Sequence, residues 1–112
     1  VTLWALFLLI ATVESNQRPL VVHKQAVGFI QLTPVYVREC NRLGGKFTLR
    51  DRYSVTKSWQ MFKLYNKNRT HAEDIARTHR SGPSKKYDKK ATRYWAKICK
   101  LIKQRKQNGK SK

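Results

Sequence analysis

A chain of 112 residues has room for one small domain built on one hydrophobic core. Twenty-five Lys and Arg against six Asp and Glu leave a formal charge of +19, which directs the protein toward polyanions: nucleic acid, anionic lipid or an acidic cell wall. The two cysteines, Cys40 and Cys99, stand in no CxxC spacing, and His23, His71 and His79 are scattered singly, which argues against a zinc site. The cysteines read as free thiols, with one disulfide between them as the alternative. No Lys or Arg precedes Arg18, whereas residues 85–112 carry twelve of the twenty-five. The basic character therefore belongs to the body and tail of the chain.

The first element is apolar. Eleven of residues 1–13 are hydrophobic, and Glu14-Ser15 follows directly. Leu3, Phe7, Ile10 and Glu14 fall on one side of a helix while Leu6, Leu9 and Val13 cover another, so the spacing predicts a helix buried all round. Burial disfavours an ionised carboxylate, which would favour the proton-donating form of Glu14. The run is shorter than the ~20 apolar residues a membrane span requires. Read instead as a secretion signal, residues 1–15 would be removed, leaving a cationic binding protein for glycan, membrane or nucleic acid. Val1 already lies inside the apolar run, which suggests an upstream segment.

Helical signals continue along the chain. Thr33-Pro34 is an N-cap followed by Pro at the first helical position, and Gly44-Gly45 is a stop. Residues 46–53 read as a short strand or an extended loop. Ser54 caps a helix with an aromatic stripe at Val55, Trp59, Phe62 and Tyr65, read as core. Thr70-His71-Ala72-Glu73 has the form of a capping box for a helix ended by Gly82-Pro83. Asp88 starts a last helix whose apolar face is Ala91, Tyr94, Trp95, Ile98, Leu101 and Ile102. Residues 103–112 hold nothing to bury and read as a disordered basic tail.

Two motifs carry chemistry. Glu14-Ser15 closes an apolar helix, and Gly28-Phe29-Ile30-Gln31 with Pro34 follows a short loop. In this order and approximate spacing the chain resembles the lysozyme-like domain of soluble lytic transglycosylases and goose-type lysozymes, most closely the versions found in bacteriophage, over residues 1–102. A third family segment, Ala-Tyr-Asn-Ala-Gly, corresponds to Thr78-His79-Arg80-Ser81-Gly82. There His79 offers a ring and a polar tip in place of Tyr, and Arg80 replaces Asn. Val22 and Gln25 stand where the family loop usually has Ser and Gly.

The resemblance implies a mainly α lysozyme-like fold, with a small β-hairpin near the cleft. It further implies cleavage of the MurNAc–GlcNAc bond of peptidoglycan by a single Glu acting first as acid and then as base. The substrate supplies the nucleophile, and the product is a 1,6-anhydro-muramyl sugar. Glu14 would be that residue, protonating the leaving oxygen as an oxocarbenium-like centre develops. Gln31 would hydrogen-bond the sugar or hold the cleft loop, and Gly28 would let the backbone approach the glycan with no Cβ in the way. Ser15 would brace Glu14, and His79 and Arg80 would complete substrate binding. If a second carboxylate takes part, Asp51 is the one to test. No cofactor or metal is implied. The expected partners are peptidoglycan strands and, through the basic surface, anionic wall polymers. No specific nucleic-acid partner is expected, although Lys85, Lys86, Lys89, Lys90, Arg93, Lys97 and Lys100 could track phosphates. A monomer acting on the bacterial wall, extracytoplasmic or virion-associated, fits these features.

Overall fold

The computed structural model describes the backbone through Lys110 and the side chains through Asn108. The chain is mainly helical with one small antiparallel hairpin, in the order α1 (Leu3–Ser15), β1 (Val22–His23), β2 (Ala26–Val27), α2 (Pro34–Arg42), α3 (Val55–Tyr65), α4 (Ala72–Ser81) and α5 (Lys89–Lys110). Short 3-10 segments occupy Leu49–Tyr53 and Pro83–Lys85. The fold divides into two compact units, Thr2–Asn68 and the chain from Arg69 onward together with Val1. The boundary expected at residue 102 thus falls inside α5, and the division comes between residues 68 and 69.

In the first unit, α1 begins at Thr2, whose hydroxyl accepts from the Ala5 amide at 3.0 Å. Phe7 is fully buried. Its ring lies 5.2–5.4 Å from those of Trp4, Phe29, Trp59 and Phe62, so α1, the loop after the hairpin and α3 share one aromatic cluster. Contrary to the sequence pattern, α1 is not buried all round: Trp4 is 46% exposed, and Leu8 and Thr12 on the same stripe are half-exposed. α2 opens as expected, with Thr33 accepting from the Tyr36 amide and Pro34 in the first turn, and it buries Tyr36, Val37 and Cys40. α3 is capped by Ser54, which accepts from the Lys57 amide, and buries Ser58, Met61 and Phe62. Trp59, Val55 and Tyr65 are half-buried, and Tyr65 stacks on Tyr36 with ring centroids 4.0 Å apart. Burial pushes the Cys40 thiol up to about 12, assisted by Glu39.

The β structure lies elsewhere than residues 46–53. Val22 pairs with Val27 and His23 with Ala26 across the turn residues Lys24 and Gln25, with Lys24 at φ +57°. That turn holds none of the Gly or Asn residues that mark hairpins, which is why the sequence hid it. Residues 46–48 are extended loop. The 3-10 segment after them starts from a Thr48/Asp51 capping box, in which each side chain accepts from the other's amide.

In the second unit, α4 packs against α5. α4 buries Ile75, Ala76 and Thr78, and α5 buries Ala91, Tyr94 and Ile98, with Trp95, Leu101 and Ile102 half-buried. Asp88 caps α5, accepting from the Ala91 amide at 2.7 Å and the Ser81 hydroxyl at 2.9 Å. The capping box read at 70–73 does not form: α4 starts after His71 with no side-chain cap. Thr70 instead bonds the His71 ring, and the Glu73 carboxylate accepts from Arg77. Residues 103–110, expected to be disordered, continue α5. Once a helix is nucleated by buried turns, Lys, Gln and Arg extend it at little cost. Residues 111–112 of that expected tail lie outside the described residues. No described helix is long and apolar enough to cross a membrane.

Candidate functional site: the end of α1 and the 28–31 turn

α1 ends in a Schellman arrangement. Asn16 and Gln17 take left-handed φ values of 54° and 59°, and their amides bond back to Thr12 and Ala11. This reversal leaves Glu14 and Ser15 on the final turn, just before the chain changes direction. Glu14 is half-buried, which corrects the expectation of an acid enclosed by apolar neighbours. The reason is local: Glu14 shares a face with the buried Phe7 and Ile10 but stands on the last turn of α1, beside the exposed Asn16 and Gln17 of the chain reversal.

Ser15 is buried at 3% exposure and does more than end the helix. Its hydroxyl donates to the Phe29 carbonyl at 2.6 Å and accepts from the Arg18 amide at 3.1 Å. One short polar side chain therefore ties the acid-bearing end of α1 to the middle of the Gly-Phe-Ile-Gln segment.

That segment is a tight turn closed by the Val27–Leu32 bridge, whose two amide–carbonyl bonds measure 3.0 and 2.9 Å. Phe29 and Ile30 point into the core, 6% and 0% exposed. Gln31 sits at φ +54°, and its amide nitrogen donates to the carbonyls of Val21 and Gly28, both at 3.0 Å. Of the two roles read for Gln31, the structure carries the loop-holding one, leaving the amide oxygen as its remaining polar atom.

Gly28 is required for a reason the sequence did not reveal. Its φ is +91°, and a Cβ built there would lie 1.9 Å from the Arg52 carbonyl oxygen. The missing side chain makes room for the protein's own backbone and not for a glycan.

Arg52 is the residue the sequence reading missed. Its side chain donates from Nε to the Leu49 carbonyl at 2.8 Å and from Nη1 to the carbonyls of Gln25 and Leu32 at 2.9 and 3.2 Å. Its own carbonyl, pressed against Gly28, accepts from the Ser58 hydroxyl at 3.3 Å. Arg52 so fastens the hairpin turn and the closing bridge of the 28–31 turn to the segment leading into α3. The only sequence signal was the Thr48-x-x-Asp51 box that starts the turn delivering it. Asp51, the carboxylate singled out as a possible second acid, is engaged in that box.

Glu14, Ser15, Gly28 and Gln31 all belong to the first unit. His79 and Arg80 lie on the last turn of α4 in the second unit, His79 half-buried and Arg80 exposed. The Arg80 cation complements the negative end of the helix dipole and contributes to holding the Asp88 carboxyl below its ordinary value, after the hydrogen bonds from the Ala91 amide and Ser81. Both cysteines are free thiols, Cys40 buried and Cys99 exposed. Among the described residues, no group of three His, Cys, Asp or Glu side chains is placed to hold a metal ion. Comparison with protein-family models, curated proteins and solved structures gives no significant match to this chain.

Proposed function

We propose that this protein is a lytic transglycosylase-like enzyme that cleaves the glycan strands of peptidoglycan with Glu14 as its single acid and base. The observation that carries the reading is the 2.6 Å bond from Ser15 to Phe29, which holds the helix end bearing Glu14 against the Gly-x-x-Gln turn. A general acid must stand at a fixed position relative to the surface that binds the sugar, and this bond supplies that registration. Glu14 is half-buried on the last turn of α1, so the residue is not sealed from solvent.

The reaction begins as Glu14 donates its proton to the leaving oxygen while positive charge develops at the anomeric carbon. The substrate's own hydroxyl then closes on that carbon, and the Glu14 carboxylate takes up its proton, giving the anhydro sugar. Gln31 offers its amide oxygen to the glycan, its nitrogen being committed to the backbone. α1 also supports this reading over a removable leader, because Leu6, Phe7, Ile10 and Ala11 supply much of the first unit's core.

The test is digestion of purified peptidoglycan by the wild type and Glu14→Gln, with analysis of the released ends. The wild type should release anhydro-terminated fragments, and Glu14→Gln should lose on the order of 10²–10⁴-fold in turnover with an unchanged circular dichroism spectrum. Equal turnover by the two proteins removes Glu14 from the role.

A further inference from the structure

The second unit carries a surface that the chemistry at Glu14 does not use. α5 holds nine Lys and Arg and no acidic residue. Its buried positions, Ala91, Tyr94 and Ile98, define an inner side. At about 100° per residue, Lys89, Arg93, Lys97 and Lys100 fall within about 80° of arc on the opposite side, and Lys103 adjoins them. All five are exposed, and none has an ion-pair partner among the described residues. Three- and four-residue steps place successive cations about 4.5–6 Å apart along the helix axis. Beside this ladder runs an open depression lined by Cys99, Lys100, Ile102, Lys103 and Lys106.

We propose that the outer side of α5 binds a linear phosphodiester polymer of the cell wall, a polyol-phosphate chain attached to or lying among the glycan strands. The choice of a wall polymer rests on the peptidoglycan reading above. Three features favour it over other polyanions. Aromatic side chains that would stack bases are absent from the ladder, since Tyr94 is buried and Trp95 half-buried on the inner side. Four of the five cations are Lys, point charges suited to isolated phosphates and unsuited to bidentate reading of base edges. The apolar side of α5 is packed within its own unit, so the helix has no hydrophobic face to sink into a bilayer. A flexible polymer with one charge per repeat can adapt to a ladder of this spacing, releasing counterions as it binds.

The experiment titrates the full chain carrying Glu14→Gln with soluble, fluorescently labelled poly(glycerol phosphate) over a range of salt concentrations. Two four-site variants are compared: Lys89→Gln/Arg93→Gln/Lys97→Gln/Lys100→Gln, and a control with the same net charge, Lys24→Gln/Lys46→Gln/Lys57→Gln/Lys67→Gln. The α5 variant should bind at least about 10-fold more weakly and lose about 3 from the slope of log K against log salt, at ~0.7 per phosphate contact, while the control keeps most of both. Equal losses in the two variants, or none in the α5 variant, overturn the surface. Tighter binding to a short DNA duplex, or to phosphatidylglycerol vesicles, overturns the polymer assignment. The probe contains no glycosidic bond to cleave. A wild type that binds it but leaves peptidoglycan intact therefore counts against the enzymatic reading and supports the surface.

Discussion

Replacing Gly28 by Ala separates the two explanations of why that glycine is there. If the absent Cβ served an approaching sugar, Ala would weaken substrate binding and leave the fold alone. The structure points the other way: the new Cβ would lie 1.9 Å from the Arg52 carbonyl oxygen, and real Cβ contacts essentially never fall under 3.0 Å. The two backbones must therefore part by about 1.1 Å, the difference of those distances. Such a shift works directly against the Gly28–Val21 bond at 2.8 Å and the bonds from Arg52 to Gln25 and Leu32. Losing two of these costs about 2 kcal/mol in all. A further 1–2 kcal/mol or so comes from placing an L-residue at φ +91°.

Gly44→Ala isolates the second contribution, because Gly44 has φ +104° and nothing within 4 Å of the position a Cβ would take. Urea unfolding followed by tryptophan fluorescence suits the comparison, since Trp4 and Trp59 both sit in the aromatic cluster of this unit. The expected losses are about 3–4 kcal/mol for Gly28→Ala and about 1–2 kcal/mol for Gly44→Ala. A gap of about 2 kcal/mol corresponds to roughly 1 M urea at the midpoint for a typical slope. Equal losses at the two glycines would refute the argument that Arg52 occupies the space beside Gly28.

Ser15→Ala should cost about 1–3 kcal/mol, because it strands the buried Phe29 carbonyl, while the Arg18 amide keeps its bond to the Ser15 carbonyl at 3.2 Å. On the proposed function it should also lower peptidoglycan turnover by more than binding, measured as kcat against KM. The carboxyls of Asp74 and Asp88 both lie below their ordinary value of 3.8, Asp74 chiefly through the hydrogen bond from Lys86 and Asp88 chiefly through that from the Ala91 amide. A depressed folded-state value means the stabilisation is present above the unfolded value and fades as pH falls through the folded one. The melting temperature should therefore drop as pH is lowered from about 4, and Asp74→Asn/Asp88→Asn should flatten that dependence. With Cys40 buried and its thiol pushed up to about 12, iodoacetamide at pH 8 should modify only Cys99 in the native protein and both thiols in urea, as read by mass spectrometry.

Local signals were legible wherever one short segment satisfied itself. Thr33-Pro34, Ser54 and Asp88 cap the helices that their positions announce, because a capping side chain needs only the amide two or three residues on. Where a second partner competed, the same reasoning failed. Glu73 fits a capping box on paper, yet Arg77 one turn later holds its carboxylate. The tail from residue 103 has no apolar residue to announce an element, and residues 103–110 are helical by continuation from turns already packed.

At the candidate site the sequence identified the residues and not their reasons. Apolar content placed α1 at the core, and order along the chain brought Glu14-Ser15 and Gly28-Phe29-Ile30-Gln31 into one hypothesis. The tertiary structure decided that Ser15 reaches across fourteen residues to Phe29, that Gln31 spends its amide nitrogen on its own loop, and that Gly28 yields space to Arg52. Periodicity and caps depend on neighbours within one turn, which a sequence displays directly. A hydroxyl meeting a distant carbonyl, or one backbone pressing on another, depends on how the elements pack, and that is determined only once the core has closed.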